Sequence, residues 1–233
     1  MTESTHTVKS YEQELEHLGS LMARMGGLVE RQTAQAVKAV VDGDEEAALE
    51  PPELDPEVDE LEREAEALAI RILALRSPMA VDLRTIVAAL KITGDLERIG
   101  DYASSIARRA MKLETEGNIS LVGLRNMGHL VQNNLRRAID ALTTKDRDGA
   151  VAVWQSDTAV DELYTAMFRE LMTYMMEDPR NIGTCIHLLF VAKNLERIGD
   201  HTTNIAERVY YAVTGEMLPA VRPRGGRSYP AAS

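Results

Sequence analysis

The chain has 233 residues, 45% hydrophobic but only 4% aromatic, so its core must come from Ala, Leu, Val, Ile and Met, a balance that favours helix packed on helix over sheet. Acidic residues outnumber basic ones 37 to 26, for a formal net charge of -11, which is the opposite of the basic footprint that neutralises phosphates on nucleic acid, so no nucleic-acid partner is expected. The one cysteine, Cys185, rules out an internal disulfide framework and, in an apolar run, reads as a small core residue.

In chain order, residues 1–8 are polar, and a first helix is expected from Tyr11 to Val41. There Leu15, Leu18, Leu21, Met25, Leu28, Gln32, Ala36 and Ala39 recur at spacings of three and four, one core-facing stripe. Asp42-Gly43 ends it. A second helix starts at Asp44, but Pro51, Pro52 and Pro56 predict a kink or break, because proline lacks an N–H and crowds the preceding turn. Asp55 before Pro56 suits a new N-cap, a role that competes with any other use of its carboxylate. Val58, Leu61, Ala65, Leu68, Ile72 and Leu75 then form a seam of coiled-coil type. Ser77-Pro78 closes it, and a third helix is expected from Val81 to Leu113.

Gly117-Asn118 marks a join, after which the same plan is written again. Helices are expected from Leu121 to Leu142, from Gly149 to Met176 with a seam of Val160, Leu163, Met167, Leu171 and Tyr174, and from Ile182 to Val213. From Pro219 the composition turns to Pro, Gly, Arg and Ser, the signature of a disordered tail. The expected division is 10–116, 117–215 and a tail at 216–233. Trp154 reads as core or interface. No apolar run approaches the ~18 to 20 residues needed to span a bilayer, and the first ten residues have no signal-peptide core. The expectation is a cytoplasmic protein, peripheral to a membrane at most.

The duplication is explicit in Leu-Glu-Arg-Ile-Gly-Asp, found at Leu96 to Asp101 and again 99 residues later at Leu195 to Asp200. Val58-Asp59-Glu60-Leu61 likewise returns as Val160-Asp161-Glu162-Leu163, 102 residues on. At ~100° per residue, Ile92, Leu96, Ile99, Ala103 and Ile106 share a core face, as do Val191, Leu195, Ile198 and Ile205. Glu97 and Asp101 then stack one turn apart on the other side, as do Glu196 and Asp200. Asp55 and Asp59, and Asp157 and Asp161, repeat the four-residue spacing on the preceding helices. Consecutive helices are antiparallel neighbours, so each copy can bring two acidic pairs face to face, outward. Carboxylates crowded in this way repel unless a cation intervenes, and an all-oxygen set favours magnesium, calcium, manganese or iron over a structural zinc site. A solvated acidic face is the bland alternative; its repetition at matching places favours metal.

Other residues stay closer to structure. Arg98 and Arg197 pair with neighbouring carboxylates or mark a docking surface. Gly100 and Gly199, costly inside helices, imply close packing or room beside a metal. His201 points about 100° away from Asp200 on the helical wheel, out of reach of ligation. No catalytic residues and no glycine-rich phosphate cradle are visible.

The segments Leu90 to Ala107 and Ala192 to Glu207, with Pro78-Met79-Ala80-Val81-Asp82-Leu83-Arg84 opening the third helix, closely resemble the paired signatures of the PhoU family, accessory regulators of the phosphate-specific transport system. The resemblance spans about residues 10 to 215. It implies an all-α fold of two tandem three-helix repeats with pseudo-twofold symmetry, and metal clusters held by Asp55, Asp59, Glu97, Asp101, Asp157, Asp161, Glu196 and Asp200. The family is associated with iron and with zinc. It further implies a cytoplasmic protein, often a homodimer, that represses the phosphate-starvation response through the cytoplasmic side of the phosphate ABC transporter and a sensor histidine kinase of a two-component system. A metal-free helical adaptor with the same partners is one alternative. A ferritin-like di-iron oxidase is the enzyme alternative, disfavoured because only Glu14 to His17 offers the required Glu-x-x-His spacing.

Overall fold

The structure, a computed structural model, describes residues 2–113 and 119–219. The expected join at Gly117-Asn118 and the tail from residue 220 onward lie outside the described residues. Six long helices account for the fold: α1 (Thr2–Asp42), α2 (Glu45–Arg76), α3 (Val81–Ala110), α4 (Val122–Thr144), α5 (Arg147–Glu177) and α6 (Ile182–Thr214). A short 3-10 turn, Pro179–Asn181, links the last two. No strand occurs among the described residues.

The expected break in α2 does not occur. The helix runs unbroken through Pro51, Pro52 and Pro56, and its cap is Asp44, whose carboxylate accepts from the Ala47 backbone N–H at 2.9 Å; Asp55 therefore lies within the helix and caps nothing. Tertiary contacts override the prolines. Ala47, Ala48 and Pro51 are buried, and the side chain of Gln32 on α1 donates to the Pro51 carbonyl at 2.9 Å, so the proline turn is held against α1. The predicted seam also shifts at its end: Ala69 is buried, whereas Leu75 is 67% exposed, because the drift of 3.6 against 3.5 residues per turn carries a strict seam off its partner over several turns.

Helices α1, α2 and α3 pack on one another, as do α4, α5 and α6. The two sets meet through α3 against α6 and α1 against α4, and one continuous core draws on all six helices. Ile92, Leu96, Ile99, Ala103 and Ile106 on α3, and Val191, Leu195, Ile198 and Ile205 on α6, are all buried as the spacing predicts; so are Trp154 and Cys185. Helices α3 and α6 run antiparallel, since Arg84 at the start of one lies beside Gly215 at the end of the other. Polar and ring contacts bridge this crossing: Asn194 donates to Ser105 Oγ at 3.1 Å, Arg109 stacks on the Phe190 ring at 4.1 Å, and Arg197 lies 5.5 Å from the Tyr102 ring centre.

Candidate functional site

In the second repeat α5 and α6 bring three carboxylates together. One oxygen each from Asp157, Asp161 and Asp200 lies within 4.8 Å of the other two. Glu196 adds its charge to both Asp161 and Asp200 and is ion-paired with Lys193, one turn earlier on α6. Burial, and then the Glu196 carboxylate, pushes the Asp161 carboxyl above its usual range; burial, then Glu196 and Asp161, does the same to Asp200. The expectation that all these groups face outward fails for Asp157, which is only 3% exposed. Its Oδ1 accepts from Thr203 Oγ1 at 2.7 Å, and that bond offsets the cost of burying a charge.

The first repeat has the same plan with different partners. Asp55 Oδ1 accepts from Ser104 Oγ at 3.0 Å and Gln32 Nε2 at 3.3 Å, while its Oδ2 faces the Arg108 guanidinium at 3.6 Å. Arg98 lies 3.5 Å from Glu97 and 3.6 Å from Asp101. Burial first, then the Asp101 charge, raises Glu97 to about 7 despite Arg98. Asp55 is raised by burial and by Asp101. Glu62, unremarked in the sequence pattern, is raised by burial, Glu66 and Asp59, and so Asp59 and Glu62 also belong to this acidic patch. Here arginines supply part of the countercharge.

Both sites rest on residues the spacing did not single out. Ser104 and Thr203 stand three residues after the second acid of each pair and 99 residues apart, so the repeat itself carried the signal. Gln32 lies in the apolar stripe of α1 and is buried; a polar side chain at a core position was its only mark. Asn134, 102 residues after Gln32, is 3% exposed and its Oδ1 accepts no hydrogen bond among the described residues. Gly100 leaves space for the Gln32 amide, because a Cβ there would meet Gln32 Oε1 at 2.9 Å; at Gly199 a Cβ would meet Val160 Cγ1 less tightly, at 3.2 Å. Replacing Gly100 with alanine is expected to destabilise the chain by about 1 kcal/mol in urea denaturation, the helix-propensity gain being outweighed by displacement of a buried, hydrogen-bonded amide. A stabilised Gly100→Ala variant would show that the amide moves at no cost.

His201 does not join the carboxylates of its own repeat. Its Nδ1 bonds Asp95 Oδ1 at 2.8 Å, across the α3–α6 crossing. Glu14 and His17 are engaged with α2, Glu14 by Arg76 Nε at 2.9 Å and His17 by Glu64 at 3.2 Å. Beyond the Asp157 cluster, α5 and α6 expose two apolar rows at four-residue spacing, Phe168, Met172 and Met176 on one and Ile182, Ile186 and Phe190 on the other. Lys193 Nζ lies 5.2 Å from the centre of the Tyr164 ring, a contact between α6 and α5. No helix among the described residues is long and apolar enough to cross a membrane.

The PhoU domain family matches the chain twice, at residues 22–110 and 124–209. A phosphate-specific transport system accessory protein PhoU homolog from Caulobacter vibrioides is 51% identical over 226 residues, covering 96% of this chain and 97% of that one. The protein of the same description from Zymomonas mobilis is 48% identical over 225 residues, covering 96% and 94%. Among solved structures, PhoU from Pseudomonas aeruginosa superposes with a TM-score of 0.86 at 45% identity, over 88% of this chain and 100% of that one. The phosphate transport system regulatory protein PhoU from Streptococcus pneumoniae gives 0.83 at 28% identity, over 90% and 99%.

Proposed function

Because this chain belongs to the PhoU family, a family of accessory and regulatory proteins and not of enzymes, we propose that it is a negative regulator of phosphate uptake and of phosphate-starvation signalling. It works in the cytoplasm as a scaffold between the cytoplasmic side of a phosphate ABC transporter and a sensor histidine kinase. The observation that carries this reading is the doubled acidic motif, set at equivalent places on two three-helix repeats, in a chain about half identical to proteins described as transport-system accessories. We divide the chain accordingly into repeats at 10–116 and 117–215 with a tail at 216–233, and take two copies to associate. The large apolar side chains exposed along α5 and α6 support a protein that acts by docking. A net charge of -11 favours approach to basic surfaces.

The donor chemistry of the second cluster fits a cation. Asp157, Asp161 and Asp200 would hold a hard divalent ion such as magnesium, manganese, calcium or iron, with Glu196 beside them, and zinc is the other ion the family suggests. Asp55, Asp59, Glu97 and Asp101 are the corresponding set in the first repeat. When bound, the ion supplies countercharge; the chain's own part is to hold the carboxylates in place. The arginines at the first set favour a second reading for that repeat, a metal-free acidic docking surface.

A phosphate-starvation promoter reporter in phosphate-replete cells tests the function. Deleting this chain is expected to switch the reporter on by at least tenfold, and an Asp157→Asn, Asp200→Asn double variant to restore repression only in part. A reporter that stays silent on deletion, in cells with no second copy of the gene, would remove the repressor reading.

A further inference from the structure

Adjacent threonines on α6 spend their protons differently. Thr202 Oγ1 donates back to the Ile198 carbonyl at 2.7 Å, the ordinary use of a threonine inside a helix. Thr203, 2% exposed, turns instead to α5 and donates to Asp157 Oδ1 at 2.7 Å. A hydroxyl has one proton, so this bond takes the only side-chain donor that Thr203 possesses.

The same device recurs in the first repeat, where Ser104 donates to Asp55 Oδ1 at 3.0 Å. Residues 104 and 203 are related by the 99-residue offset of the Leu-Glu-Arg-Ile-Gly-Asp motif, and residues 55 and 157 by the 102-residue offset of the second helices. Threonine and serine share nothing here but the hydroxyl, so the hydroxyl is what the two repeats have in common. In the first repeat, with Oδ1 held by Ser104 and Gln32, Asp55 Oδ2 faces a cationic group, Arg108, at 3.6 Å. Hydrogen bonding one carboxylate oxygen fixes the rotation of the whole group, and so fixes where the other oxygen points.

We propose that Thr203 is a positioning residue for a divalent cation on the second repeat: it anchors Asp157 by one oxygen so that the carboxylate is held in register with Asp161 and Asp200. This rests on the cation reading given above. Thr203 does not touch the ion itself. Its role is to spare the ion the ordering of a buried carboxylate at the moment of binding, the kind of support whose loss lowers metal affinity roughly 10- to 100-fold. Ser104 is its counterpart at Asp55.

The test uses the full chain stripped of metal and titrated with manganese(II), followed by calorimetry and by the loss of the free-ion paramagnetic resonance signal. Thr203→Val, which keeps the shape and removes the hydroxyl, is expected to weaken binding 10- to 100-fold, and Thr203→Ser to stay within about threefold of the parent. Thr203→Ala serves in place of valine should that variant melt before titration. Parent-like binding by the valine or alanine variant overturns the positioning role while leaving the cation reading intact. Equal loss in the serine variant also overturns it, because the hydroxyl would then be irrelevant. Failure of the parent chain to bind manganese, iron(II) or zinc would instead remove the cation reading and this inference with it.

Discussion

Replacing Asp95 with alanine is expected to destabilise the chain by about 3 kcal/mol, the cost of taking one partner from a largely buried ion pair. Asp95 lies on α3, 5% exposed, where the His201 ring bonds its Oδ1 at 2.8 Å and Arg208 ion-pairs with its Oδ2. Arg208 also donates to the Lys91 carbonyl at 3.1 Å, so two α6 side chains, His201 and Arg208, meet on one α3 carboxylate. Across the pseudo-twofold the equivalent of Asp95 is Asn194, which makes one neutral bond to Ser105. The charged clasp therefore exists on one side only. Alanine leaves Arg208 and His201 without their shared acceptor; asparagine, the residue the other repeat uses, is expected to cost about half as much. Urea denaturation of the full chain, and a fall in Tm of roughly 6 to 10 °C for alanine, check this. A loss below about 0.5 kcal/mol for alanine, the scale of an ordinary surface substitution, would mean that the clasp adds nothing to the other contacts that hold α3 to α6.

The second large effect is on pH dependence. Metal-free protein is expected to be more stable near pH 5 than at pH 8. Glu97 is raised to about 7, and Asp55, Glu62, Asp161 and Asp200 are raised as well, each chiefly by burial. A carboxyl whose folded pKa exceeds its unfolded value binds its proton more tightly in the folded state. That stability is complete below the unfolded value, near 4.3 for glutamate, and drains away as pH rises through the folded one. For Glu97 the window runs from about 4.5 to 7, and after allowance for its partial solvent screening the loss is on the order of 1 to 2 kcal/mol. Glu14, lowered chiefly by its hydrogen bond from Arg76, works in the opposite sense and loses its contribution only at more acid pH. His201, lowered chiefly by burial, also opposes the carboxyls, losing its contribution as pH falls through the unfolded histidine value, about 6.5, toward the folded one, and five raised carboxyls outweigh it. Glu97→Gln should flatten the alkaline limb of a Tm profile. Saturating divalent cation should lift the limb that belongs to Asp161 and Asp200, because the ion takes the place of the protons. A flat profile from pH 5 to 8 in stripped His201→Gln protein, where the opposing histidine is gone, would contradict both the burial and the crowding of these groups.

Much of this molecule was readable in one dimension. The spacing of Ile92, Leu96, Ile99, Ala103 and Ile106 puts five apolar side chains on one side of a helix whatever surrounds it, and its copy on α6 does the same. The repeated motif then places Glu97 and Asp101, and Glu196 and Asp200, on equivalent turns. Helical periodicity is a local property, and duplication is a property of the string itself; neither needs a partner to be seen.

What needed the partner is of another kind. Pro51, Pro52 and Pro56 break an isolated helix, yet α2 continues because α1 supplies Gln32 and buried alanines wait on the inner face. Asp55, Asp157 and their fellows share a spacing, but which acid is drawn inward depends on a hydroxyl reaching over from the next helix. His201 follows an acidic residue in sequence and answers to Asp95, 106 residues away. The string by itself determined the all-α class, the two repeats and the turns on which the acids stand, because those follow from spacing along one chain. Only the tertiary structure decided which carboxylates meet, which are met by arginine and which are buried, because burial and countercharge are set by side chains that arrive from other helices.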